Sequence, residues 1–250
     1  MKFVLVLLAA VTSLSAESQT IRVLCWNLHH GVGGDGKLDL PRIAKVIQEA
    51  KPDLVALQEV DKNCRRSRKV DQAAELGKLT GMHTTYGKAM DFDGGEYGQA
   101  ILTKKPPQLV KVHRLPGKGE PRIAFEALIS INNMKLSFVT VHLDLDAAQR
   151  LSQTETLIQA LSGNPSHPLI LCGDFNDIPN SPAIKAFSKA FRPVAKREPA
   201  LTCPVDKPDS EIDHVFLRGL EAAEPVVVLP EAVASDHRPL LVELKLPERN

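Results

Sequence analysis

Short apolar segments that each end in polar, chemically versatile residues recur along this chain, and they constrain its fold most strongly. The C-terminal third contains Gly173-Asp174-Phe175-Asn176-Asp177, Ile212-Asp213-His214 and Ser235-Asp236-His237-Arg238-Pro239. Segments further upstream end in Trp26-Asn27-Leu28, Leu57-Gln58-Glu59 and Thr140-Val141-His142-Leu143. Polar residues that follow buried strands gather at one edge of a sheet, so we expect them to form one acidic, imidazole-bearing site.

The apolar pattern predicts alternating strands and helices, with strand hairpins between them. Helices are predicted at residues 39–50, 71–80, 147–161 and 181–191, the third with Leu151, Leu157, Ile158 and Leu161 facing inward. Strands are predicted at residues 21–27, 54–57, 98–103, 109–113, 122–131, 135–142, 168–172, 212–217, 225–229 and 238–246. This order predicts a four-layer α/β sandwich, in which two mixed β-sheets pack face to face with helices outside. No break in composition divides the chain, so residues 17–250 are predicted to form a single domain.

Residues 1–16 have the pattern of a secretory signal peptide. Lys2 precedes an apolar segment from Phe3 to Val11, and small residues follow up to Ala16. The apolar segment is too short to span a bilayer, and it lacks the alternation of an amphipathic strand, which is the alternative interpretation. We therefore expect an exported protein, periplasmic or extracellular, without stable membrane insertion.

The four cysteines fall into two groups. Cys25 and Cys172 lie within apolar strands, where we expect buried free thiols. Cys64 and Cys203 lie in predicted loops, and export would permit a disulfide between them. The sequence leaves that pairing open.

The six motifs, in this order and at this wide spacing, resemble those of the endonuclease/exonuclease/phosphatase superfamily. The likeness runs from about Ile21 to Leu246. That superfamily includes pancreatic-type deoxyribonucleases, abasic-site endonucleases, bacterial sphingomyelinases and inositol-polyphosphate phosphatases. The resemblance implies the same sandwich fold and a metal-dependent hydrolysis of phosphoesters.

The resemblance also implies a metal site. Glu59 corresponds to the principal metal ligand, with Asn27 and Asp236 nearby. Mg²⁺ prefers oxygen ligands and keeps several waters, so one or two carboxylates are sufficient to bind it. We expect Mg²⁺, with Mn²⁺ as the alternative.

The expected chemistry rests on two histidines that directly follow apolar strands. An imidazole suits the activation of water because its ordinary pKa is about 6.5. Asp213 is the candidate that orients His237, and His142 would polarise the phosphate or protonate the leaving group. Which histidine is base and which is acid stays open. By resemblance, Asp174 orients the attacking water and Asn176 hydrogen-bonds a phosphate oxygen.

Two further residues are weaker candidates for binding substrate. Glu96 would support His142, as an equivalent carboxylate does in the deoxyribonucleases, or it is a plain turn residue. Arg122 would bind phosphate through its guanidinium, or it is a surface arginine. The remaining histidines are assigned no chemistry: His29, His30, His83, His113, His167 and His214.

The leading hypothesis is an exported hydrolase of a small or lipid-linked phosphodiester, working as a monomer by in-line attack of an activated water. The alternatives are a secreted nuclease with the same mechanism and a catalytically inactive binding module. A formal net charge of +1 and an aromatic content of 4% disfavour nucleic acid as the substrate, since few phosphates could be neutralised and few bases stacked. The complete set of motif residues disfavours an inactive module.

One basic cluster lies close to Glu59 in the sequence. It consists of Lys62, Arg65, Arg66, Arg68 and Lys69. On charge alone such a cluster is more typical of a solvated face than of a binding site.

Overall fold

The computed structural model describes residues 19–163 and 167–247. The predicted signal peptide lies outside these residues. The helices are α1 Leu40–Ala50, α2 Gln72–Thr80, α3 Ala147–Ser162 and α4 Pro182–Ala190, with a 3₁₀ turn at His29–Gly31. The strands are β1 Thr20–Asn27, β2 Leu54–Lys62, β3 His83–Phe92, β4 Gly95–Thr103, β5 Leu109–Arg114, β6 Ile123–Ile131, β7 Met134–His142, β8 Leu169–Asp174, β9 Arg192–Pro193, β10 Asp213–Arg218, β11 Glu221–Ala222, β12 Val227–Val228 and β13 Leu240–Lys245.

The strands form two mixed sheets that pack face to face, which confirms the predicted four-layer α/β sandwich. One sheet has the order β11-β13-β1-β2-β4-β3, with β12 also pairing with β13, and the other has the order β5-β6-β7-β8-β10-β9. A central core between the sheets contains residues such as Val23, Phe125 and Val215. A second core packs α1 and α2 on the outer face of the first sheet, and a third packs α3 and α4 on the second.

Side chains that accept hydrogen bonds from the first turn fix the helix starts that the sequence predicted. The carboxylates of Asp39 and Asp71 accept from backbone N–H groups of α1 and α2, and the Ser181 hydroxyl does so for α4. The prediction that Leu151 faces inward from α3 was wrong. Leu151 is exposed, and the α3 residues that enter the core include Leu157 and Leu161.

Strand β3 was not predicted from the sequence. This edge strand is only half buried along its length, so it lacks the apolar run that marked the central strands. It also contains Gly87, which weakens a strand signal but is required here, since a Cβ atom would lie 2.6 Å from the Phe125 ring. The hairpin of β3 and β4 flanks the edge at which the predicted site residues meet.

All four thiols are free, so the structure contains no Cys64–Cys203 disulfide. Cys64 is buried, and its thiol lies 3.2 Å from the carbonyl oxygens of Phe92 and Glu96. None of the helices in the described part of the chain is long and apolar enough to cross a membrane.

Candidate active site

The ends of the central strands meet at one edge of the sandwich and form a cleft of about 340 Å³. β1 and β2 run parallel with Asn27 opposite Gln58, and β7 and β8 run parallel with His142 opposite Asp174. Antiparallel β10 begins at the same edge, with Asp213 opposite Asp174. The predicted site residues that line the cleft are Glu59, Arg122, His142, Asp174, Asn176, Asp236 and His237.

A bulge in β2 presents Glu59 to the cleft. The pairing of β2 with β4 shifts register between Leu57 and Val60, and Glu59 has a left-handed φ of 55°. A non-glycine residue in this conformation costs energy, and such strain recurs at functional sites. The preceding Gln58 is fully buried and donates a 2.7 Å hydrogen bond to Thr140 Oγ1 of the facing sheet, which fixes the bulge.

Asn27 joins two carboxylates of the site. Its Nδ2 lies 3.0 Å from Glu59 Oε1 and 3.0 Å from Asp174 Oδ2. Its Oδ1 accepts a hydrogen bond from the backbone N–H of His29. The Asn27 amide nitrogen therefore lies between the Glu59 and Asp174 carboxylates, while its amide oxygen already accepts a hydrogen bond from the backbone.

His237 is held by a buried carboxylate. Its Nδ1 lies 2.9 Å from Asp213 Oδ2, and the same oxygen accepts a hydrogen bond of 2.5 Å from Thr202 Oγ1. Burial acts to lower the pKa of His237, but the Asp213 charge outweighs burial and raises it above its ordinary value. Burial likewise opposes ionisation of Asp213, and the His237 imidazolium reverses this and lowers the Asp213 pKa. The pair is thus an imidazolium with its carboxylate, and Nε2 is left to act on a ligand.

Asp174 lies between the two histidines. Its Oδ2 is 3.6 Å from His142 Nε2 and 3.7 Å from His237 Nε2, and Oδ1 accepts from the backbone N–H of Asn176. Burial, followed by the negative charge of Asp213, raises the pKa of Asp174 to about 7. A carboxyl group with such a pKa can accept a proton from water near neutral pH.

His142 and Arg122 occupy the adjoining part of the cleft. Burial, and then the positive charges of Arg122 and His237, hold the pKa of His142 well below its ordinary value, so this imidazole is neutral. Arg122 is buried, and one of its terminal nitrogens lies 3.3 Å from Glu120. Its Nε and Nη1 are buried without a hydrogen-bond partner among the described residues. An unpaired buried guanidinium edge is costly, and an anion in the cleft would satisfy it.

Asn176 and Asp236 differ in how free their side chains are to bind a ligand. The Asn176 side chain donates to the Leu143 carbonyl at 3.0 Å, and its left-handed φ of 51° turns the chain away from β8. Gly173 precedes this turn and permits close strand contact, because a Cβ atom there would lie 2.0 Å from the Val141 carbonyl. The Asp236 carboxylate is partly exposed in the cleft, 4.0 Å from His29 Nδ1.

The predicted contact between Glu96 and His142 is absent. The Glu96 carboxylate instead pairs with the ammonium groups of Lys62 and Lys88, at 3.7 and 3.4 Å. The reason is positional: Glu96 lies opposite Lys62 and Asp91 in the strand ladder, beyond the residues that line the cleft.

The donor set of the cleft fits a hard divalent cation. Glu59 and Asp236 present carboxylate oxygens to an open, water-accessible space, as Mg²⁺ prefers. Within the described residues, Asp174, Asp213 and His237 also place potential ligand atoms within 4.8 Å of one another. That buried group is the poorer site, because the His237–Asp213 hydrogen bond already uses an imidazole nitrogen and a carboxylate oxygen.

Several residues of the cleft were not predicted from the sequence. Arg66, which belongs to the basic cluster expected to be solvated, lines the cleft together with Met90, Phe92, Tyr97, Glu120 and Leu145. These residues reach the cleft through the unpredicted β3–β4 hairpin and through loops, so no local sequence pattern predicts that they line it. Thr202, which supports Asp213, comes from a proline-rich loop whose composition indicates only irregular structure.

Comparisons with known proteins agree with this geometry. The model of the Endonuclease/Exonuclease/phosphatase family matches residues 24–237. The chain is 24% identical over 246 residues to "Uncharacterized protein YbhP" of Escherichia coli K12, covering 91% of this chain and 97% of that protein. It resembles the structure of a functionally unknown conserved protein from Enterococcus faecalis V583, with a TM-score of 0.78, 22% identity and coverage of 91% and 100% of the two chains.

A second similar structure is the mannosyl-6-phosphatase Bt3783 of Bacteroides thetaiotaomicron. The TM-score is 0.74 at 21% identity, over 90% of this chain and 100% of that one. At this identity the likeness shows the fold alone, whereas the family match spans nearly the whole described chain and includes every strand end that carries a site residue. The chain therefore belongs to the endonuclease/exonuclease/phosphatase family.

Proposed function

We propose that this chain is an exported, divalent-metal-dependent phosphodiesterase that hydrolyses a small or lipid-linked diester by in-line attack of water. The observation that carries the proposal is the convergence, in one cleft, of a carboxyl with a pKa of about 7, a carboxylate-paired imidazolium, a neutral imidazole and an unsatisfied guanidinium edge. Family membership supplies the reaction class, phosphoester hydrolysis. The substrate and the metal are our proposal.

The charges of the cleft favour a diester over a monoester. Arg66 is paired through two hydrogen bonds of 2.8 Å with Asp61, and Arg122 is partly paired with Glu120. His142 is neutral, and the His237 imidazolium is already balanced by a carboxylate. The protein side chains therefore add little unbalanced positive charge to that of a bound divalent cation, and a diester with one negative charge needs less neutralisation than a monoester with two.

Each polar group then has a role in the reaction. Asp174 orients the attacking water and accepts its proton, because its pKa matches neutral pH. His237, whose Nε2 lies 3.7 Å from Asp174, stabilises the charge that develops and gives its proton to the leaving oxygen. His142, Asn176 and Arg122 bind the phosphate oxygens that do not react. In this proposal His237 is the acid, and the base is Asp174 rather than His142.

A divalent cation would be bound by Glu59 and Asp236, and when bound it would supply charge neutralisation for the phosphate. Asn27 would act as a positioning residue, because its amide nitrogen lies 3.0 Å from the Glu59 carboxylate and holds it in place. Oxygen donors and an open cleft favour Mg²⁺, with Mn²⁺ as a substitute.

The test is hydrolysis of bis-p-nitrophenyl phosphate and p-nitrophenyl phosphate by the purified mature chain. We expect turnover that EDTA abolishes and Mg²⁺ or Mn²⁺ restores, with kcat/KM higher for the diester. Full activity in metal-free buffer would contradict the metal assignment. A preference for the monoester would favour a phosphatase, the activity named for the structurally similar Bacteroides protein.

Export is supported by the signal-peptide pattern of residues 1–16. Expression of the full-length chain in a bacterial host, followed by cell fractionation and mass measurement, tests it. We expect a processed protein outside the cytoplasm. A full-length protein confined to the cytoplasm would refute export without affecting the catalytic proposal.

A further inference from the structure

One part of the cleft surface is apolar and aromatic, although the catalytic groups are polar. Met90 and Phe92 at the end of β3, and Tyr97 near the start of β4, line the cleft beside Arg66. Leu145, in the loop that follows His142, lines the same cleft and is 73% exposed. We call Arg66, Met90, Phe92, Tyr97 and Leu145 the apolar wall.

Arg66 belongs to this wall because its charge is already engaged. Two guanidinium nitrogens each lie 2.8 Å from the carboxylate oxygens of Asp61, which is fully buried. The guanidinium carbon lies 4.4 Å from the centroid of the Phe92 ring and 5.5 Å from that of Tyr97. A guanidinium fixed in this way offers a flat surface for stacking, and it binds phosphate poorly because two of its nitrogens already donate hydrogen bonds to Asp61.

The apolar wall restricts which ester groups fit the cleft, given the phosphodiesterase function proposed above, on which this inference rests. The reacting phosphate must lie against His237 and Asp174, so the ester groups extend along the rest of the cleft. A sugar or other polyol would lose water from its hydroxyl groups against Met90, Phe92 and Leu145 without gaining hydrogen bonds. An aryl or alkyl group would bury apolar area at both surfaces.

We propose that the apolar wall binds an apolar ester group of the substrate, aryl or alkyl, and so determines specificity for phosphodiesters of hydrophobic alcohols. Leu145 contributes because so exposed a side chain gains most from being covered by a ligand. Phe92 and Arg66 contribute a stacked pair that already presents a planar surface.

The test uses two monoanionic phosphinates that have no ester bond to hydrolyse, methyl(phenyl)phosphinate and dimethylphosphinate, titrated calorimetrically into the mature protein with Mg²⁺. Both carry the same charge. They differ in one group, which is a phenyl that fits the apolar wall in the first compound and a methyl in the second. We expect the phenyl compound to bind about tenfold more tightly, the scale of one good aromatic contact. A dihydroxypropyl analogue should bind no better than the methyl compound.

Variants of the apolar wall test whether this surface causes the preference for the phenyl compound. Phe92→Ala and Leu145→Ser should each reduce the preference for phenyl over methyl by at least about threefold. Leu145→Ser should leave the fold intact, because the side chain is 73% exposed, so a changed preference in this variant reports on binding. Arg65→Ala is the control, because Arg65 pairs with Asp93, lies outside the cleft lining and should leave the preference intact.

Equal binding of the phenyl and methyl compounds, or tighter binding of the dihydroxypropyl compound, would overturn the inference. A preference that survives both Phe92→Ala and Leu145→Ser would place the binding surface elsewhere and would also overturn it. Hydrolysis of bis-p-nitrophenyl phosphate, measured separately, distinguishes the two proposals. Turnover without a phenyl preference refutes the wall alone, whereas the absence of turnover refutes the proposed phosphodiesterase.

Discussion

Replacing Asp213 with asparagine removes one buried charge and nearly preserves shape. In the native protein, Asp213 Oδ2 lies 2.9 Å from His237 Nδ1 and also accepts the Thr202 hydroxyl. Two unit charges about 4 Å apart attract by on the order of 4 kcal/mol at an effective dielectric constant of about 20. That energy changes the proton affinity of the imidazole by about a thousandfold.

The sign of the pH effect follows from the two pKa directions. In the native protein the pKa of His237 is raised, so the imidazolium persists throughout the neutral range. In Asp213→Asn the burial of His237 is no longer opposed, so its pKa falls and the proton is lost as pH rises. We expect kcat to fall at least ~10²-fold at neutral pH, the usual contribution of one acid–base group. The loss should be larger at pH 8 than at pH 6.

Steady-state hydrolysis of bis-p-nitrophenyl phosphate at saturating Mg²⁺ between pH 6 and pH 8 measures this effect. Asp206→Asn is the matched control, because it makes the same chemical change at an exposed position in the same region and should leave kcat within about twofold. Circular dichroism should show that both variants are folded. An unchanged kcat in Asp213→Asn, or a loss independent of pH, would refute the role of the Asp213–His237 pair.

Three further predictions test other parts of the structure. Glu59→Gln should raise the Mg²⁺ concentration for half-maximal activity at least about tenfold, and an unchanged value would move the metal elsewhere. Gly173→Ala should lower the free energy of unfolding by about 1–3 kcal/mol in urea titrations, since the new Cβ would lie 2.0 Å from a backbone carbonyl; native stability would contradict that clash. Plasmid DNA should be cleaved with lower kcat/KM than a small diester at equal ionic strength, because Asp93 and Asp61 neutralise Arg65 and Arg66. Rapid plasmid nicking abolished by charge reversal at those arginines would favour a nuclease.

The sequence alone was sufficient for the fold class and for the strand ends that bear the site. Buried central strands require continuous apolar runs, and the polar residues that follow them must lie at a sheet edge. The apolar pattern therefore places Asn27, Glu59, His142 and Asp174 together, as the contacts of Asn27 with both carboxylates and of Asp174 with His142 show them to be. Helix starts were equally predictable, because an N-cap such as Asp39 acts on backbone groups only a few residues away.

Only the tertiary structure decided what surrounds those residues. The edge strand β3 has no continuous apolar run. The apolar wall brings side chains of this strand into contact with Arg66, which is distant in the chain. Protonation states depend on burial and on charges from other strands, so the proposed acid and base roles rest on the pairing of His237 with Asp213 and on the burial of Asp174 between two imidazoles. Glu96 failed as a candidate for a related reason: strand register, which local sequence does not encode, directs its carboxylate to Lys62 and Lys88 rather than to His142.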